Sequence, residues 1–214
     1  MRIIFFRRIY GMIIRPKETL KDISENKPIV QSLILLVILG LMPFMMFMNN
    51  DFLYNAADLN PMEMDMFQRM MPAFFIFFIF GAMLLAPIFQ FISTGIYNLL
   101  SEFFGYEGNG KGLFTTLVFA SVPNIFANIF NIILVYSGAI SFSWLLTLPF
   151  TIWVIVLKIF AIKENYSMSG GKATLIYFIP GIVIFVLFII AMILMFTTIA
   201  SQMGPLMNEF GTTM

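Results

Sequence analysis

The sequence predicts an all-α, polytopic membrane protein: a bundle of five transmembrane helices preceded by an N-terminal interfacial amphipathic helix. Three observations predict it. Of 214 residues, 60% are hydrophobic and 11% charged, against about 25% charged in a typical soluble domain. The charges cluster, leaving uncharged runs between Lys27 and Asp51, Arg69 and Glu102, Lys111 and Lys158, and from Lys172 almost to Glu209. A crossing helix needs about 20 apolar residues, because the hydrocarbon core is about 30 Å thick and a helix rises about 1.5 Å per residue. Finally, 11 of the 12 Lys and Arg residues fall on one side of the resulting topology.

Residues 1–27 form a cytoplasmic, interfacial segment. Ile3, Phe6, Ile9, Tyr10, Ile13 and Ile14 recur at helical spacing, with Arg7, Arg8 and Arg15 among them. That pattern suits a helix lying in the membrane surface, with Arg7, Arg8, Arg15 and Lys17 at anionic headgroups. Arg15-Pro16 breaks it, and Pro16 suits the first position of a second short helix. Arg7 and Arg8 interrupt the apolar start too early for the hydrophobic core of a secretory signal, so the first span is expected to be an uncleaved anchor.

Residues 28–201 hold the spans: 28–48, 72–101, 112–136, 142–162 and 172–201. The third uncharged run is long enough for two spans and divides at Ser137-Gly138-Ala139-Ile140-Ser141, small residues suited to a tight turn. The second span exceeds what the bilayer needs, and tilt or a kink at Pro87 takes up the excess. Pro43, Pro123, Pro149 and Pro180 fall inside the other spans. Each frees a carbonyl four residues earlier, which needs a partner in lipid. In the loop at 49–71, Asn60-Pro61-Met62-Glu63 combines a cap, a first-turn proline and an acid at the third position, so a short helix should feed the second span. Residues 202–214 are expected to form an extracytoplasmic tail.

Orientation follows the basic residues. Arg2, Arg7, Arg8, Arg15, Lys17, Lys21, Lys27, Lys111, Lys158, Lys163 and Lys172 share one side. Arg69 lies opposite, among Asp51, Asp58, Glu63 and Asp65. A multi-pass cell-membrane protein with a cytoplasmic N-terminus and an extracytoplasmic C-terminus results.

The chain has no Cys and no His. Disulfides, thiolate or imidazole catalysis and Cys/His metal centres are therefore excluded, and no catalytic residue, metal ligand or cofactor site is expected. Gly105 to Gly112 nearly spells a phosphate-binding loop. Gly112 stands where Ser or Thr must follow the lysine, and a span precedes the loop instead of a strand, so it reads as a surface turn. Met62, Met64, Met66, Met70 and Met71 could offer thioethers to Cu(I). Met62, Met66 and Met70 share one helical face, which favours an adaptable packing surface instead.

Asn124, Asn128 and Asn131 recur at i, i+4 and i+7 on the third span. Buried amides in lipid seek partners on other helices. Gln90, Ser93, Thr94 and Asn98 on the second span are candidates to face them. Interhelical bonding that also serves the carbonyl freed by Pro123 is the bland reading; a polar path is the sharper one. Lys158 is the only charge inside a span, near enough to an end for its stem to snorkel outward, with Trp153 as a deeper anchor. No Asp or Glu lies within a span, which argues against an ion-coupled pump. A membrane enzyme acting on lipid could use carboxylates such as Glu102 and Glu107 beside the glycine-rich turn, but they lack an evident base or metal partner.

Four pieces of the chain form a pattern. They are Arg15-Pro16-Lys17-Glu18-Thr19-Leu20 with Ile23, then Gly95-Ile96-Tyr97-Asn98 running to the glycine-rich turn. Ser121-Val122-Pro123 follows, and last come Trp153 to Ile162 with Ser169 and Lys172-Ala173. In this order they resemble the Yip1 family of five-span membrane proteins, in its bacterial form, over residues 15–195. The Met-rich outer loop is outside that pattern. The resemblance implies no catalytic residues. Eukaryotic members bind Rab-type GTPases in membrane traffic, a role that does not transfer to a bacterial chain. The expected function is a non-enzymatic membrane scaffold or accessory subunit. Its expected partners are membrane lipids and other integral membrane proteins, with ABC-type exporter subunits and a second copy as candidates, and no nucleic acid. The alternative is a transporter or pore lined by the Asn124, Asn128, Asn131 stripe.

Overall fold

A computed structural model describes residues 2–48 and 60–212. Asp51 and Asp58, which entered the charge count of the outer loop, lie outside the described residues. All regular structure among the described residues is helical. The helices are α1 (Arg2–Ile14), α2 (Pro16–Asn26), α3 (Ile29–Leu41), α4 (Pro61–Phe80), α5 (Ala86–Phe103), α6 (Gly110–Phe119), α7 (Pro123–Tyr136), α8 (Ser143–Tyr166) and α9 (Gly170–Thr212). Among the described residues, five helical stretches are long and apolar enough to cross a membrane: Ile29–Met46, Met62–Phe103, Gly110–Tyr136, Ile140–Tyr166 and Gly170–Ile199. The chain divides into two units, residues 1–174 and 175–214. In the second, α9 continues as helix through residues 202–212, the stretch expected to be a tail.

Local chemistry explains the boundaries. Pro16 opens α2 directly after α1, and Lys27 closes it in the left-handed region (φ 45°), donating its N–H to the Ile23 carbonyl at 2.8 Å. Asn60 and Glu63 form a reciprocal capping box at the start of α4, each side chain accepting the other's backbone N–H at 2.9 Å. The outer helix expected there is continuous with the second span. Between α4 and α5 the chain makes one wide π-helical turn, Gly81–Leu85, in which the Ala86 N–H reaches the Gly81 carbonyl. Pro87 follows at once. It has no N–H to give Met83, and its ring crowds that turn, so the backbone widens there instead of breaking.

The third span is interrupted. Pro123 stands at the first position of α7, after a tight turn at Ala120 to Val122. The Phe119 carbonyl, which Pro123 would otherwise have bonded, accepts the Val122 N–H at 3.0 Å. That carbonyl therefore makes no demand on the asparagine stripe, contrary to the bland reading of it. Gly138 (φ 73°) turns the chain into α8, within the small-residue break the sequence indicated.

The core of the first unit forms around α6. Every residue from Gly112 to Pro123 is buried, and α2, α3, α5 and α8 pack around that helix. Leu20 and Ile23 of α2, Leu35 of α3 and Leu157 and Ile162 of α8 are completely covered. Hence α2 belongs to the bundle. Farther along, Phe150 of α8 stacks between Phe126 and Phe130 of α7, at 6.5 and 5.7 Å between centroids. Phe44, in the 3-10 turn after α3, meets Phe75 and Phe78 of α4.

Candidate functional site

Polar side chains converge at the end of the bundle that carries the basic residues. The chain Gly108-Asn109-Gly110 leads into α6, and Asn109 caps that helix by accepting the Gly112 N–H at 3.3 Å. The same Asn109 amide donates to Asn165 Oδ1 on α8 at 3.2 Å and lies 3.4 Å from Ser24 Oγ on α2. Asn165 returns a bond from Nδ2 to the Asn109 carbonyl at 3.2 Å, and Ser24 donates to Asn165 Oδ1 at 2.7 Å. Three helices are thus clasped by two amides and a hydroxyl. A Cβ at Gly112 would collide with both Asn109 and Asn165, so the clasp needs glycine there.

Two arms extend it. On one side, Tyr166 at the end of α8 donates to Asn98 Oδ1 on α5 at 2.6 Å, and Asn98 donates to Glu102 at 2.6 Å. On the other, Arg8 of α1 donates from Nε to Asp22 of α2 at 2.8 Å and from Nη1 to Gln31 of α3 at 2.8 Å. The arms and the clasp together fasten α1, α2, α3, α5, α6 and α8 at one level.

Against the residues singled out in the sequence, the placement is mixed. Asn98 makes an interhelical bond, to Tyr166 on α8 and not to the asparagine stripe. Gln90 donates within its own helix, to Thr94 at 3.4 Å. Asn124, Asn128 and Asn131 lie half-buried on α7, and among the described residues no side-chain hydrogen bond reaches them; Asn131 Oδ1 is buried without a partner. The structure therefore does not bring Gln90 or Asn98 together with that stripe.

The membrane-surface arginines separate too. Arg7 and Arg15 are exposed, and Arg15 pairs loosely with Glu18 at 3.8 Å. Lys17 lies over the Phe160 ring, 5.5 Å from its centre. Arg8 is corrected: it is buried and points inward, not to headgroups. Its i, i+4 neighbour Met12 is also fully buried, so both lie on the face of α1 that packs. A guanidinium can be buried there because two acceptors satisfy it.

Ser24, Asn109, Asn165, Tyr166, Asp22 and Gln31 were not singled out by sequence. One signal was available: Asn109 stands in a glycine-rich turn one residue before a helix, the place of an N-cap. Glu102 accepts from Asn98, and a Cβ at Gly108 would strike its carboxylate, so this acid is folded over the turn. Among the described residues no group of three or more Asp and Glu is placed to hold a metal ion.

A family model, the Yip1 domain, matches residues 10–199. The chain belongs to the Yip1 family. The match spans the four sequence pieces quoted above and runs from α1 into α9. Of the clasp and its arms, Asn98 and Asn109 lie in segments that carried the resemblance, and Ser24 and Asn165 lie beside them. The Yip1 family is a membrane-protein family not known for enzymatic activity. No curated protein and no solved structure gives a significant match.

Proposed function

We propose that this Yip1 protein is a non-enzymatic scaffold or accessory subunit of the cell membrane. It binds other integral membrane proteins, with subunits of an export or transport complex as candidates. The N-terminus is cytoplasmic and the C-terminus extracytoplasmic, following the basic bias. The observation that carries the reading is the commitment of polar groups. Ser24 and Asn109 bond Asn165, and Tyr166 bonds Asn98, so these polar groups hold helices in place. The clasp also holds the basic N-terminal helices in a fixed pose, suited to recognition of acidic surfaces. The test is crosslinking in native membranes followed by affinity purification in mild detergent. Specific partner proteins are expected, and an Asn109→Ala, Asn165→Ala double variant should lose them. Recovery of the chain alone would sink the proposal.

The second reading, a transporter or pore, is favoured by one observation, the unpartnered Asn131 Oδ1. A buried acceptor in lipid is costly and is a place for a passing donor. Replacing Asn124, Asn128 and Asn131 together by Leu should abolish flux in liposomes while leaving assembly intact. Absence of flux through the wild-type protein disposes of this reading.

A further inference from the structure

A cleft of about 440 Å³ opens between α3, α5 and α6. Ile29 and Leu33 form one wall, Pro87, Phe91 and Ile92 the other, and Phe114 of α6 is buried at the floor. Its origin is traceable. Gly40 of α3 meets Ala82 in the π-helical turn so closely that a Cβ on Gly40 would lie 3.0 Å from that of Ala82. Two small residues pinch the helices together there. Below the pinch, toward the basic end, the α3 and α5 side chains stand apart, and Pro87 leaves a smooth apolar wall. Water gains nothing in such a cleft, which offers it too few polar partners. Hydrocarbon fits.

The rim decides which hydrocarbon. Among the described residues, Lys111, the second residue of α6, is the one charged side chain lining the cleft. It is exposed, and among the described residues it makes no ion pair. An apolar helix from another protein would fill the walls and leave this ammonium unmatched. A lipid with net negative charge satisfies both surfaces. We propose that the cleft holds one acyl chain of an anionic glycerophospholipid, with its phosphate against Lys111.

The test uses the full chain, purified in mild detergent, delipidated and offered phosphatidylglycerol and phosphatidylcholine in equal amounts. Native mass spectrometry reads the lipid retained. Phosphatidylglycerol should be retained about fivefold over phosphatidylcholine, the preference expected from one lysine near an anionic headgroup. Lys111→Gln should bring the ratio to about one. Leu33→Trp and Ile92→Trp, filling the cleft from opposite walls, should each lower retention of both lipids, and the thermal midpoint identifies whichever variant keeps its fold. A wild-type ratio near one overturns the proposal whatever the variants do. So does an unchanged ratio in Lys111→Gln. Equally tight binding of glycerol phosphate alone would place the site at the lysine and overturn the acyl-chain assignment. A dimer or protein complex lost on cleft filling, with lipid retention unchanged, would assign the cleft to a protein helix instead.

Discussion

At the scale of single residues, the most consequential side chain is Arg8. Its guanidinium is buried and held by Asp22 and Gln31. Breaking a buried ion pair costs about 3–5 kcal/mol, and the Asp22 side chain is 39% exposed, so solvent relieves part of that. Arg8→Met keeps the apolar stem and should lower stability by about 2 kcal/mol. Unfolding in mixed micelles measures it, and a loss below about 0.5 kcal/mol, the range of an exposed pair, would mean that the pair is a surface one. Asn165 is the second such residue. One interhelical bond in lipid contributes about 0.6 kcal/mol on average, but Asn165→Ala removes three bonds, leaving the Ser24 hydroxyl without its acceptor and the Asn109 amide only the longer contact to Ser24. A loss of about 2 kcal/mol is expected, and a loss equal to that of one bond would show that water replaces the amide. Arg8 was legible only as a membrane-surface residue, and Asn165 was not legible at all. Asn165 lies 141 positions from Ser24 and 56 from Asn109, and sequence periodicity carries no information across such separations.

At the scale of elements, legibility was high for local signals and poor for burial. The five spans, the Pro16 break, the Asn60 and Glu63 cap and the turn at Gly138 were readable because each depends on a few adjacent residues. The two fates of an apolar helix were not. In water an apolar face marks the core, whereas in lipid both the packed and the outward faces are apolar. Nothing in Leu113 to Phe119 distinguishes a helix buried on every side from the residues of α5, such as Phe89 and Leu99, that face outward. The pinch between α3 and the π-helical turn gives a prediction at this scale. Gly40→Leu must push α3 away from Ala82 and should cost about 1–3 kcal/mol by overpacking, while Gly40→Ala needs only a small shift. Thermal midpoints of the two variants in detergent order them, and equal midpoints would mean that α3 and this turn are not in close contact.

At the scale of the whole molecule, the topology can be tested with unusual cleanliness, because the chain contains no cysteine. Asn60→Cys should react with a membrane-impermeant maleimide added to intact cells. Glu107→Cys and Ser167→Cys should react only after the membrane is opened. Labelling of Glu107→Cys in intact cells would reverse the orientation argued from the basic residues. The wide turn at Gly81–Leu85 has a consequence at this same scale. It houses one more residue than an α-helical turn, and each α-helical residue advances the azimuth by about 100°. The wider turn absorbs that residue, so the segments on either side keep nearly the phase of one continuous α-helix. Deleting Met83 should therefore close the turn to ordinary helix with Asn98 still facing Tyr166, whereas deleting Phe89 from the regular helix beyond it should turn Asn98 away by about 100°. The long helix can thus lose a residue at the wide turn and keep the Asn98–Tyr166 bond, whereas a loss in the regular helix beyond it should break that bond without touching either residue.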